Sequence, residues 1–246
     1  MAKACVMVGW DDVPHLTADQ KSSILEGIPP WQKEARTRGL PSMGAGAIYP
    51  LPEADIIVQP FVIPEHWPRA FALDPGWNMT AALFLAFDVD AGGIVAYDEY
   101  YVGQREPAVH AAALKRKGAD WMTGVIDPAA QGIRGHKGEI LLDVYREEFN
   151  MKLELAENAV LPGLIKTWHA LSIGQLKLFS TLTNTRNEIR LYRRDEKGNI
   201  IKEHDHLMDC MRYGIMSARA VAKIKPVETT PGRSWFSWTP PTVWSG

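Results

Sequence analysis

The sequence predicts an α/β fold, a mixed sheet with helices on both faces. Two observations lead there. Between residues 69 and 103 three apolar runs follow one another across short turns, and from residue 107 onward helical and extended patterns alternate. The first kind of order makes an antiparallel meander. The second makes crossover units whose helices cover a sheet on both sides.

Taken in order, residues 1–47 offer a short apolar run from Cys5 to Trp10, the acidic pair Asp11 and Asp12, and a helical segment opening near Thr17. "IYPLPEADIIVQPFVIPEHWPRA" is proline-rich and reads as an extended surface linker or edge strand. The chain therefore divides into a linker (1–55), a main domain (56–225) and a flexible tail (226–246). Within the main domain, "RAFALD" (69–74), "TAALFLAFDVD" (80–90) and "IVAYDEYYVG" (94–103) are the meander strands. "EPAVHAAALKRKG" has Pro107 in its first turn and Gly118 as a stop, which suits a helix. A buried strand, "MTGVID" (122–127), follows. Then come a helix (138–149), a strand "KLELAE", a helix around "GLIKTWHALSIG" and a strand "QLKLFS". "EIRLYRRDEKGNIIKE" reads as a hairpin turning at Lys197 to Asn199, and a last helix carries Leu207, Met211 and Ile215 on its apolar stripe.

At 246 residues and 46% hydrophobic content, the chain can bury a real core. Its 27 basic and 29 acidic residues leave a net charge of -2, which does not suit a free-standing DNA-coating protein. Any polyanion must be met locally, and the basic stretch is 186–202, where six Arg and Lys outnumber three acids. Cys5 and Cys210 are far apart and give neither a disulfide framework nor a zinc pattern. No apolar run reaches the roughly 18 residues of a membrane span, and no secretory signal opens the chain. A soluble cytoplasmic protein is expected.

The acids are the informative residues. Asp74 in "ALDPGW" and Asp127 in "GVIDPAA" each end an apolar strand and run into proline, so each carboxylate should stand at the rim of the sheet. Taken singly, either is an aspartate opening a proline turn. Asp205 and Asp209 lie four apart at the start of the last helix, on one face, where like charges repel by a few tenths of a kcal/mol. The helix dipole, solvent and Arg212 are one way to offset this. The other is a divalent cation shared with Asp74 and Asp127. Two Mg²⁺ or Mn²⁺ ions about 4 Å apart would clamp the attacking water and leaving oxygen of a phosphodiester, which predicts a nuclease.

The segments "FALDPGW", "VIDPAAQG" and "LYRRDEKGNIIKEHDHLMDCMRYG" resemble the C-terminal nuclease domain of the bacteriophage large terminase subunit, an RNase H-like fold. The resemblance covers roughly residues 60–222. Residues 9–47 are similar to the segment that ends the motor domain in one branch of that family. The resemblance implies metal ligation by Asp74, Asp127 and Asp209, with Asp205 supporting, and an auxiliary contact from His206 to phosphate or a metal-bound water. Many relatives have two adjacent acids where this chain has Asp205 followed by His206, so either helix acid is open as the direct ligand. Arg190, Arg193, Arg194 and Lys197 are the expected contacts to the DNA backbone. Lys137, in the Gly-rich loop "QGIRGHKG", reads as part of a mobile loop. No G-x-x-x-x-G-K-[ST] loop is present, so no ATP site is expected and the chain reads as an isolated nuclease part. The implied partners are double-stranded DNA, the terminase motor domain, the small terminase subunit and the portal, in the host cell cytoplasm. The Trp-rich tail is a candidate docking peptide. Two alternatives stand beside this reading: a catalytically inactive module that docks on DNA or portal, and a resolvase-like nuclease of the same fold.

Overall fold

The computed structural model describes Trp10, residues 17–28, Thr37, residues 46–135 and residues 138–226. The acidic pair, Lys137 and the Trp-rich tail lie outside the described residues, as does most of the motor-like segment.

Seven strands form one sheet in the order β1-β7-β4-β3-β2-β5-β6. β2 (Arg69–Asp74), β3 (Thr80–Phe87) and β4 (Ile94–Val102) are the expected antiparallel meander. β5 (Gly124–Ile126) and β6 (Leu153–Leu155) add in parallel beside β2, while β7 (Leu176–Phe179) and β1 (Ile57–Val58) add in parallel beside β4. Six strands thus point one way and β3 alone is reversed. All six C-terminal ends fall on one edge, where ligands of such sheets gather.

Strand alternation splits the core into two layers. β2 sends Ala70 and Ala72 to one face and Phe71 and Leu73 to the other. Under the second face lie α3 (Pro107–Leu114, continuing to Ala119) and α4 (Leu141–Asp143, continuing to Glu148). Over the first lie α5 (Val160–Ser172), α6 (Thr183–Leu191) and α7 (His206–Tyr213, continuing to Val221). The small residues on the α7 face of β2 and β3 let that helix approach closely, and Cys210 Sγ donates to the Ala81 carbonyl at 3.3 Å. Gly214 is needed for the same reason. A Cβ there would stand 2.3 Å from the buried Leu85 Cδ1.

Near the start, α1 (Ala18–Glu26) carries the expected cap, with Thr17 Oγ1 and Gln20 Oε1 each accepting the other's backbone N–H. The proline-rich stretch forms a short helix, α2 (Glu53–Ile56), before edge strand β1, and Ile48, Tyr49 and Ile56 are buried in the main core, where their apolar side chains cover a sheet face.

The structure corrects the expected hairpin. Residues 188–191 are the last turn of α6, and what remains is a single bridge between Arg194 and Ile200 around the turn at Asp195 to Asn199. The alternation in "EIRLYR" misleads. The buried residues are Thr185, Glu188, Ile189 and Tyr192, at helical spacing, and Leu191 is exposed. The cap that starts this helix comes from another element: Glu99 on β4 accepts the backbone N–H groups of Asn184 and Thr185, each at 2.8 Å.

Candidate active site

Asp74 ends β2 and follows the alternation of Ala70 and Ala72, so it faces α7. Asp127 follows β5 by one residue, and its N–H donates to the Leu73 carbonyl at 3.0 Å. Parallel pairing of Leu73 with Ile126 therefore sets the two aspartates side by side on the same edge. Asp127 also does what the simple reading expects, accepting the Ala129 N–H at 3.1 Å to open the turn at Pro128. From above, α7 brings its first turn over these strand ends. His206 Nδ1 lies 2.8 Å from Asp74 Oδ2. Burial pushes the Asp74 pKa up. The His206 bond opposes this, while the nearby charges of Asp209 and Asp127 raise it further. Asp74, Asp127 and Asp209 thus share one field at the rim.

The opening pair of the helix has its own compensation. Lys202 Nζ sits 3.0 Å from Asp205 Oδ2, an ion pair without hydrogen-bond geometry, and 3.4 Å from Asp209 Oδ2. Burial works against the Lys202 ammonium, but the two carboxylates outweigh it and raise its pKa. Arg212 Nη2 binds Asp209 Oδ1 at 2.9 Å, and its other arm donates to Asn158 Oδ1 at 2.9 Å. Arg212 is buried because Gly163 on α5 leaves room for its stem, where a Cβ would stand 2.5 Å from Cγ.

The start of α7 is held by a residue the sequence does not advertise. Asp205 makes no side-chain cap there. Instead the buried Glu188 reaches across from α6, its Oε2 accepting from the N–H groups of Leu207 at 2.6 Å and Met208 at 3.3 Å. Burial raises the Glu188 pKa. Glu99 and Glu188 both act across elements, and no local motif reveals such pairings.

The basic candidates do not gather into one patch. Arg190 lies on α6 and, with Arg186 one turn before it, grips Glu53; the Arg186 Nη2 contact is 3.0 Å. Arg194 donates to the Gly198 carbonyl at 2.7 Å inside the turn. Arg193 and Lys197 are exposed.

As donors, Asp74, Asp127 and Asp209 suit a hard divalent cation, since all are carboxylate oxygens and a cation would offset the burial, and the lesser repulsion, that raise Asp74. Among the described residues, no three His, Cys, Asp or Glu stand close enough to hold an ion as they are. His206 holds Asp74 Oδ2, Lys202 and Arg212 hold Asp209 Oδ2 and Oδ1, and Asp127 Oδ1 accepts from the Ala129 N–H. A cation at Asp209 would compete first with the exposed Lys202.

A mixed sheet with one reversed strand, acids at two neighbouring strand ends and another on the covering helix is an RNase H-like arrangement. The chain belongs to the Terminase RNaseH-like domain family, which it matches over residues 71–218. It is 33% identical over 230 residues to the large terminase subunit of Salmonella phage P22, covering 88% of this chain and 44% of that protein. The chain thus spans less than half the length of that relative. The P22 large terminase nuclease domain superposes with a TM-score of 0.66 at 29% identity, covering 74% of this chain and 96% of that one. The large terminase of a thermophilic bacteriophage, in complex with ADP, gives 0.66 at 20% identity over 85% of this chain and 54% of that one, a likeness of fold. No helix among the described residues is long and apolar enough to cross a membrane.

Proposed function

We propose that this chain is the metal-dependent endonuclease part of a phage DNA-packaging terminase, cutting concatemeric double-stranded DNA. The observation that carries the reading is the parallel pairing of β2 and β5, which sets Asp74 beside Asp127 at the edge that the first turn of α7 reaches through His206. The similarity to the P22 nuclease domain supports it.

In this reading Asp74, Asp127 and Asp209 bind Mg²⁺ or Mn²⁺, two ions being the natural complement of that many carboxylates. Bound ions supply an activated water and stabilise the leaving 3'-oxygen. The rest falls to the chain. His206 orients Asp74 and, once released, faces the substrate. Arg212 holds Asp209 in place from beneath. Asp205 would keep Lys202, with which it already pairs, were a metal to occupy Asp209. Arg193 and Lys197 approach the phosphate backbone, which positions a duplex without reading its sequence, while Arg190 acts on the fold through Glu53. The motor domain, small subunit and portal, in the host cytoplasm, complete the proposed setting.

Plasmid cleavage with Mg²⁺ or Mn²⁺ against EDTA tests this. Metal-dependent nicking is expected, and nicking that persists in EDTA would refute it. A second reading, an inactive docking module, draws on the ion pairs of Lys202 and Arg212, which already neutralise Asp209 without a metal. Absence of cutting with every cation, with DNA binding kept, would favour it.

A further inference from the structure

The turns that leave the two acidic strand ends also wall a cavity toward α3 and α4. Residues 75–77 follow Asp74, residues 133–135 follow the turn opened at Asp127, and about 590 Å³ lies between them. That is within the range of small-molecule sites, enough for one nucleotide and too small for a duplex.

Its lining has the chemistry of a nucleotide site. The Trp77 indole stands 59% exposed at the rim, a flat apolar surface that nothing in the fold requires there. Glu139 lines the cavity, and among the described residues its Oε2 is buried with no hydrogen-bond partner, so turning the carboxylate outward to a ligand N–H would satisfy it. Arg105 and Arg134 donate to the carbonyls of Gln104 and Gly138, and among the described residues neither forms an ion pair. His110, at the inner wall, is committed through both ring nitrogens, to Tyr100 Oη at 2.8 Å and the Arg105 carbonyl at 3.0 Å, so it shapes the cavity and does not compete for ligand.

We propose that this cavity holds one unpaired nucleotide of the strand lying at Asp74 and Asp127. The base stacks on Trp77, a base N–H binds Glu139, and a flanking phosphate meets Arg105 or Arg134. Three residues separate Asp74 from Trp77, at most about 10 Å of chain, within reach of a neighbouring nucleotide. The inference rests on the nuclease reading for its DNA and is independent of metal.

The test is fluorescence anisotropy in EDTA with a labelled single-stranded tetranucleotide and a labelled blunt duplex annealed from two strands. Wild type should bind both. Trp77→Ala should weaken the tetranucleotide about tenfold and the blunt duplex by less than about twofold, since a stacked base is worth roughly that factor. Trp77→Phe should restore most of the loss, and Glu139→Gln should also weaken the tetranucleotide. Unlabelled thymidine monophosphate should compete only at much higher concentration. Absence of tetranucleotide binding, an unchanged Trp77→Ala affinity, or equal loss for both DNAs would overturn the proposal. Competition by the mononucleotide at tetranucleotide concentrations would also overturn it, marking a free-nucleotide site. The anisotropy reads binding and not cleavage, so failure here leaves the nuclease reading standing. Loss of metal-dependent cutting with this binding intact would defeat that reading alone.

Discussion

Asp74 Oδ2 and His206 Nδ1, on residues 132 positions apart, meet at 2.8 Å where β2 ends under α7. The contact ties the first strand of the meander to the last helix at the edge where Asp127 also stands. It raises the His206 pKa, first through the hydrogen bond itself. His206→Ala should lower the rate of plasmid nicking roughly ten- to a hundredfold, the usual cost of removing a partner that orients a ligand. An unchanged single-turnover rate would make His206 a surface residue.

Lys202 stands between Asp205 and Asp209 where cation binding would have to displace it. Its side chain is 58% exposed, so its attraction for the pair is strongly screened. Lys202→Met should strengthen Mn²⁺ binding by about two- to fivefold in calorimetry at low salt, the factor expected of an exposed ion pair. Weaker binding would mean that the lysine assists ligation.

Glu188 caps α7 from inside the protein. Glu188→Ala leaves the N–H groups of Leu207 and Met208 without that acceptor, and should cost about 1–3 kcal/mol in urea unfolding. The first turn of α7 carries His206 and Asp209, so the loss of stability should be accompanied by weaker metal binding. A stability equal to wild type would show the cap to be dispensable.

These cross-element contacts mark the limit of what the sequence discloses. The meander, the alternating units and the acids at Asp74 and Asp127 are legible because each is local: strand alternation, a capped helix, a strand running into Asp-Pro. Neighbouring placement of Asp74 and Asp127 follows only from the pairing of β2 with β5. The period of "EIRLYR" is ambiguous over so short a run, and the cap that makes it helical sits on Glu99, 85 residues before Asn184.

Glu53 offers a pH-dependent check on how α2 is held to α6. Hydrogen bonds from Arg190 and Arg186 lower its pKa to about 2. A carboxylate depressed in the folded state stabilises above its unfolded pKa, and that contribution fades as pH falls toward the folded value. The difference in melting temperature between wild type and Glu53→Gln should be constant above about pH 5 and shrink from there toward pH 2. A difference independent of pH would remove the ion pairs from the account.

The central claim is that Asp74, Asp127 and Asp209 hold the metal, and the most direct measurement is Mn²⁺-dependent plasmid nicking by Asp127→Asn and Asp205→Asn at equal folded concentration. The account requires Asp127→Asn to lose nicking and Asp205→Asn to retain most of it. Full activity in Asp127→Asn, or loss only in Asp205→Asn, would contradict it.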